Sequence, residues 1–600
     1  MKVKLSDYIA DFLMSKGVKH AFTVTGGGAM HLNDSFGHKE GLKCIYNHHE
    51  QACAIAAEGY ARLTGQVALV CVTSGPGGTN AITGVVGGWQ DSIPMFIISG
   101  QVKRQTTTWS TDIPLRQLGD QEFQISDVAK YMTKYSVMIT EPNDIKYHLD
   151  KAWYLCNNGR KGPVWLDIPI DVQAAMIDTE SLREYDSSED QKKEKPEIKI
   201  ELASEILNRI KDAKRPVILA GTGIRLAGAY DIFAKVIGKL NVPVVTAWNA
   251  HDLIDDDDPC YAGRPGSVGT RGGNFVVQNS DLLLVLGCRM NIRQISYNYQ
   301  SFAKNAYKIV VDIDEAELCK PTVSIDMPIH ADVKDVVEEL EHLLTEDSSR
   351  VGAHYDWLMW CRDVNKKYPA VLEGYADKDK PLNPYLFISE FSKTWDEDER
   401  VICGNGSACV ITFQAAHIKA GQRLFTNSGC AAMGYGFPAA LGCAVAEAGH
   451  RVICIDGDGS FQMNIQELQT VVHNRLNIKI VILNNNGYHS IRQTQTNLFD
   501  PPMVGVNKDS GISFPDMEKI AYAYGIPYVR IDAVSNILSG LDRMYETDGP
   551  VICEVVVDEN QFFEPKLSSK RLPDGTMVSP DIDDMYPFLD REEYLSNHIE

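Results

Sequence analysis

Short apolar runs alternate with stretches of helical periodicity along nearly the whole chain. The opening segment carries Ser6 and then Tyr8, Ile9, Phe12 and Leu13, which predicts a capped amphipathic helix. Beyond it AFTVTG, LKCIYN, VALVCVTSG, MFIISG, YSVMIT and PVWLDIP each read as a short buried strand. The alternation returns in PVILAG, PVVTAW, LLLVLG and KIVVDID, and again in RVICGNG, RLFTNSG, VICIDG, IKIVILN, IPYVRI and PVICEVVV. Near-continuous apolar strands separated by helices specify parallel sheets covered on both faces. The expected fold is α/β, with three doubly wound parallel-sheet domains in series, one architecture repeated without a literal sequence repeat.

The pattern also sets boundaries. Residues 1–180 make the first domain, 181–200 a charged linker, 201–345 the middle domain, and 346–384 a linker with a tryptophan-bearing connector helix. The third domain covers 385–558. Residues 559–600 are proline-bearing, charged and weakly periodic, a tail draped over the surface or, alternatively, a lid that excludes water from an active site.

Composition narrows the partners. A net charge of −22 offers no basic field to nucleic acid or an anionic membrane, and no apolar stretch reaches membrane-spanning length. Fourteen cysteines stand singly with no C-x-x-C pair, several inside apolar runs, as expected of core residues in a reducing compartment. The N-terminus is too interrupted by charge for a signal-peptide core. A cytoplasmic protein acting on small molecules is expected.

The chemistry concentrates between Arg451 and Arg492. A strand from Val452 ends at Asp456-Gly457-Asp458-Gly459-Ser460, where glycines let backbone approach a ligand and a helix expected from near Gln462 points its free N–H groups at the turn. A second strand, Ile478 to Leu483, delivers Asn484, Asn485 and Asn486 to the same edge. One carboxylate and one neutral amide at neighbouring strand ends suit Mg²⁺ on a diphosphate. Asp458 and Asn485 stand 27 positions apart with a strand–turn–helix–strand unit between them. Far upstream, Glu50 ends a strand and opens a helix of small residues, Ala52, Ala54, Ala56, Ala57 and Gly59, which implies close packing on another surface.

Together these stretches resemble the thiamine-diphosphate-dependent decarboxylases and carboligases of the acetolactate synthase type, from about residue 3 to 558. The likeness rests on HEQ and AAEGYAR, TSGPGGTN, DSIPM, GPVWLDIP, AAMGYGFPAA, and GDGSFQMNIQEL followed by NN. The resemblance implies a first domain that binds the aminopyrimidine, a third that binds the diphosphate, and sites between subunits of a homodimer or homotetramer. It implies that Glu50 acts at the pyrimidine nitrogen, that Ala431 offers its carbonyl to the 4′-amino group, and that Met433, between the two rings, wedges the cofactor into its bent form. Asp458, Asn485 and the Gly487 carbonyl would hold Mg²⁺, with Gly457, Gly459 and Ser460 beside the diphosphate. Gln121 aligns with a glutamine that contacts reaction intermediates. His48 and His49, next to Glu50, are either proton-transfer aids or packing groups.

The implied reaction decarboxylates a 2-keto acid such as pyruvate and passes the two-carbon unit to a second carbonyl. The chain departs from acetolactate synthases where it matters for that acceptor. Thr494 stands where they carry a tryptophan, and Ser490 replaces a nearby methionine, which opens the pocket. Arg492 adds a positive charge suited to a carboxylate or phosphate, or else a solvated one. The loop GYHSIRQTQTNLF and the tail PKLSSKRLPDGTM resemble acetolactate-synthase-like enzymes of bacterial surface-polysaccharide synthesis, where acetyl transfer to a nucleotide-linked keto-sugar is the alternative reaction. A non-ligating decarboxylase or aldehyde lyase is a third. In the middle domain two arginines of the family's FAD pattern survive as Arg289 and Arg293, with Asn291 and Ile292 in place of the acidic pair. GTGIRLAG at 221–228 follows a strand, so FAD is a candidate cofactor there.

Overall fold

The computed structural model describes residues 2–190, 200–346, 354–571 and 574–599. Every strand foreseen above is present, and the strands assemble into three parallel sheets. The first holds His20–Thr23, Lys43–Tyr46, Ala68–Val72, Met95–Gln101, Tyr135–Met138 and Val164–Pro169. Numbered by position within the unit, their spatial order is 2-1-3-4-6-5. The third sheet, built from Arg400–Cys403, Arg423–Phe425, Val452–Gly457, Ile478–Asn484, Tyr528–Ile531 and Val551–Val556, repeats that order. The middle sheet has five strands in the order 2-1-3-4-5.

One edge strand and two small antiparallel pairs are not marked by the apolar pattern. Met327–His330 closes the edge of the middle sheet, where Pro328 costs no ladder hydrogen bond on its open side. Lys2–Lys4 pairs antiparallel with Met176–Asp178, and Lys570–Arg571 with Met577–Val578. All are too short to show a period.

The first and third units share one core. Helix Glu50–Thr64 follows the second strand of its sheet, and helix Gly436–Ala446 follows the second strand of the other. These equivalent helices pack face to face and are buried nearly all round, which is why neither shows an amphipathic stripe. Gly59 and Gly442 permit the contact: a Cβ on Gly59 would lie 2.5 Å from the Ala439 carbonyl oxygen. The close packing implied by the small-residue helix is therefore packing on the third unit.

The linker at 181–200 lies partly outside the described residues, as does the start of the second one. Helix Ile200–Asp212 opens the middle unit and buries Ala203, Ile206, Leu207 and Ile210, an i, i+3, i+4, i+7 face. The connector helix Tyr355–Lys367 is an added layer of that unit rather than a free link, since Trp357 Nε1 donates to the Pro216 carbonyl (3.0 Å) and Asn365 Nδ2 to that of Ala262 (2.8 Å).

The tail is anchored. Asn274 Nδ2 donates to the Ile582 carbonyl, Arg271 to those of Met585 and Pro587, and Asn279 to that of Asn597. Ile582, Asp583 and Met585 are buried, and helix Arg591–Ser596 seats Tyr594 and His598 on Phe275. All fourteen cysteines are free and most are buried. No helix of the described residues is long and apolar enough to cross a membrane.

Candidate active site

In the 2-1-3-4 arrangement the strand order reverses between strands 1 and 3, and ligands of open α/β sheets bind beyond the carboxyl ends there. In the third unit those ends present Ser407, Asp458 and Asn485. Asp458 begins helix Asp458–Phe461, four residues before the start expected from the sequence, and the chain then continues as Gln462–Asn464 and Glu467–Asn474. Asp458 is 2% exposed, and burial pushes its carboxyl up to about 7, against hydrogen bonds from Gly459 N (2.8 Å) and Gly487 N (3.1 Å).

Asn485 is buried as well. Its Nδ2 donates to Ser407 Oγ (3.1 Å), which leaves Oδ1 buried and without a hydrogen-bond partner among the described residues. A buried unpaired amide oxygen costs ~1–3 kcal/mol, and a cation removes that cost. Ser407 starts helix Ser407–Ala415, whose N-cap, Gly406, has no side-chain cap, so its first N–H groups face the same edge. Gly457 has open space where a Cβ would stand, whereas Gly459 lies under the Tyr488 ring. Ser460 Oγ accepts from Gly434 N (2.9 Å) and so braces the strap that carries Ala431 and Met433.

Ala431 adopts a φ of 52°, a conformation uncommon for a residue with a Cβ. Its N–H donates to the Asn427 carbonyl (3.1 Å), and its own carbonyl accepts from Asn405 Nδ2 (2.5 Å). Met433 beside it is half-buried.

In the first unit Glu50 is half-buried at the start of its helix, and Asn80 Nδ2, on helix Pro76–Asp91, donates to Glu50 Oε2 (3.0 Å). His49 is the helix N-cap and accepts from Gln51 N, while His48 is exposed and gives its backbone N–H to Glu467. Gln121 is exposed, with a φ of 59°, and its carbonyl abuts Gly75 at the head of the helix that carries Asn80. Buried Glu467 of the third unit also accepts from Asn47 Nδ2 (2.9 Å), and Asn464 Nδ2 reaches Gln51 Oε1 (3.0 Å). Among the described residues no hydrogen bond or ion pair joins Glu50 directly to Asp458 or Asn485.

Arg492 is not a solvated charge, and its Nε is buried without a partner among the described residues. It is 6% exposed, and its guanidinium donates to the carbonyls of Asn485 (3.0 Å), Asn486 (3.2 Å) and Glu559 (2.9 Å). Thr494 is half-buried on the same helix and gives its hydroxyl to the Ser490 carbonyl (3.0 Å).

At the carboxyl edge of the middle sheet lies a cavity of about 230 Å³ lined by Gly221, Gly223, Gly287, Arg289, Asn291 and Asp312, among others. Gly221 and Gly223 are set by packing, since a Cβ on either would strike the backbone of Gly287. Asp312 ends its strand, and burial pushes its carboxyl up to about 6. Arg289 is 3.8 Å from Asp91, and Arg293 lies over the Trp248 ring.

Asn80, Asn405 and Ser407 were not singled out in the sequence. Asn405 and Ser407 sit just past a strand in the glycine-bearing turn GNGS, and Asn80 in the helix that opens within TSGPGGTN, signals that point to them.

The comparisons agree along the chain. The family model described as thiamine pyrophosphate enzyme, N-terminal TPP binding domain, matches residues 3–128. The central-domain model matches 203–340 and the C-terminal TPP binding domain 404–555. The chain is 31% identical to an acetolactate synthase large subunit of Lactococcus lactis over 575 residues, 94% of each chain. It is 31% identical to one from Cyanidium caldarium, covering 93% of this chain and 94% of that one. It is 30% identical to the acetolactate synthase isozyme 1 large subunit of Escherichia coli, covering 94% and 95%.

Proposed function

The chain belongs to the thiamine pyrophosphate-dependent enzymes of the acetolactate synthase type, and on that premise we propose a carboligase. It decarboxylates a 2-keto acid, pyruvate in the first place, and transfers the two-carbon unit to a second carbonyl. The observation that carries the proposal is the set of oxygens at the third sheet's edge: the buried Asp458 carboxylate, the unpartnered Asn485 Oδ1 and the neighbouring Gly487 loop. All are hard donors, as Mg²⁺ requires, and they leave room in its shell for diphosphate oxygens. Asp458, Asn485 and the Gly487 carbonyl would hold the ion. Gly457 and the helix starting at Ser407 would receive the diphosphate.

When bound, thiamine diphosphate supplies the electron sink that accepts the pair released with carbon dioxide. The chain's own part is proton handling and placement. Glu50, steadied by Asn80, would hold the proton at the pyrimidine nitrogen. Ala431 and Met433 would position the rings, and Gln121 would contact the reacting groups from the opposite domain. The family resemblance supports a homodimer or homotetramer with shared sites. Exposed Trp109, Ile113, Leu115 and Leu118, on the loop leading to Gln121, support the same reading. Free cysteines support a cytoplasmic location.

FAD in the middle domain is supported by the cavity over Gly221, Gly223 and Gly287, with Arg289 on its wall. For the acceptor, small Thr494 and Ser490 favour a second reading, acetyl transfer to a nucleotide-linked keto-sugar. Product analysis with pyruvate, thiamine diphosphate and Mg²⁺, with and without a 4-keto nucleotide sugar, separates the two. Acetolactate formed at a rate indifferent to the sugar supports the first. A branched sugar formed only when the acceptor is added supports the second. Absence of carbon dioxide release under both conditions defeats the pyruvate assignment.

A further inference from the structure

Three consecutive carbonyls, those of Asn485, Asn486 and Gly487, stand at the edge where the cation is proposed. Arg492 Nη2 takes the first at 3.0 Å and the second at 3.2 Å. No donor among the described residues takes the third. The same guanidinium packs on the Gly487 α-carbon, where a Cβ would lie 2.4 Å from Nη2 and 2.2 Å from the Val506 carbonyl oxygen. Its other arm, Nη1, donates to the Glu559 carbonyl at 2.9 Å, just after the last strand of the sheet. That strand is tied back to the same loop by Val557 N, which donates to the Asn484 carbonyl (3.0 Å). Gln493 adds a further tie, since its Oε1 accepts from Phe563 N (3.3 Å).

From this geometry we infer that Arg492 is a positioning residue for the metal site: by capping the carbonyls of Asn485 and Asn486 it leaves Gly487 to supply the ligand oxygen. The inference rests on the Mg²⁺ reading above. A planar fork with fixed donors suits the task, because two adjacent carbonyls and a third on another segment are held at once. Without it the peptide planes at 485–487 are free to rotate, and the loop presents different oxygens to the cation at different moments. Arg492 thereby joins the start of the tail to the cofactor edge as a brace.

The test uses the full-length cofactor-free protein. Mg²⁺ is titrated at fixed thiamine diphosphate, and bound cofactor is followed by equilibrium dialysis, with a thermal melt of each variant in chelator. Arg492→Met is expected to raise the Mg²⁺ half-saturation by about 10-fold or more, in line with losses of groups that orient metal ligands. Arg492→Lys keeps the charge but caps one carbonyl at a time, so it should fall between Met and wild type. A merely structural arginine would lower the metal-free melting temperature and leave the half-saturation of the folded protein unchanged. A half-saturation within about two-fold of wild type, a margin of ~0.4 kcal/mol, in folded Arg492→Met overturns the inference. If that variant does not fold, the same criterion applies to Arg492→Lys. Asp458→Ala is the control: if it still retains cofactor in a Mg²⁺-dependent way, the metal-site reading has failed, not the role of Arg492 within it.

Discussion

A Cβ on Gly442 would stand 1.9 Å from the carbonyl oxygen of Ala56. The two residues lie on the equivalent helices that join the first and third units, so the contact between halves is backbone against backbone. Gly442→Ala must push the helices apart, and it is expected to destabilise by about 1–3 kcal/mol or more. Gly457→Ala is the contrast, because nothing lies within 4 Å of its Cβ position. It should leave the denaturant midpoint in place while weakening cofactor binding. Equal midpoint shifts in the two variants would contradict the packing argument.

Glu50→Gln tests the proton-handling role. The amide is nearly isosteric and keeps a partner in Asn80, so cofactor binding should persist. Turnover and exchange of the thiazolium C2 proton with solvent deuterium should fall by roughly 10²–10⁴-fold, the range for loss of a general acid–base group. Exchange at the wild-type rate, read by quenched NMR, would remove Glu50 from that role.

How far the sequence carried the reading depended on what each residue's surroundings impose. Strands whose side chains are mostly buried announce themselves as apolar runs, so even the three-residue edge strand Arg423–Phe425, with Leu424 and Phe425 buried, shows within RLFTNSG. Met327–His330 does not, because only Ile329 of its four residues is buried. Glu50, Asp458 and Asn485 stand out in the sequence because the proposed chemistry demands those residue types at strand ends. Arg492 does not, since a charge next to a loop reads the same whether it faces solvent or three carbonyls. The early start of the helix at Asp458 escaped for a related reason: glycines suggest a turn, and only tertiary packing under Tyr488 makes Gly459 helical.

Asp167 gives a pH signature. It is buried between Ser99 and Gln101, and burial pushes its carboxyl up to about 7. An unfolded aspartate releases its proton near about 3.9. The native state therefore holds a proton that the unfolded state has lost across that window, and this contribution to stability declines as pH rises from about 4 to about 7. Asp167→Asn cannot ionise, so its urea midpoint should fall less than that of wild type between pH 5 and 8. Parallel profiles would show that Asp167 ionises in the native state as it does unfolded.

The tail carries the opposite kind of titration. His598 Nε2 lies 2.8 Å from Asp583, and that hydrogen bond raises the imidazole above its ordinary value. The contribution is complete below about pH 6.5, the unfolded value, and is lost as pH rises through the native one. Deuterium uptake over residues 591–599 should increase from pH 6 to pH 8 in wild type. Asp583→Asn should flatten that dependence; an unchanged slope would place the pH sensitivity elsewhere.

The common strand order of the first and third units has a consequence for how the enzyme changes over time. Two like halves in one reading frame are made in equal amounts, and each is free to lose what the other keeps. Past its third strand the first half reads Thr73-Ser74-Gly75 where the other reads Asp458-Gly459-Ser460, and past its second strand it carries Glu50, for which the other half has no carboxylate before its helix at Gly436. On the proposed reading one half would supply the acid and the other the metal ligands. A single substitution then alters one role at a time, a division of labour that a symmetric pair of identical subunits could not reach.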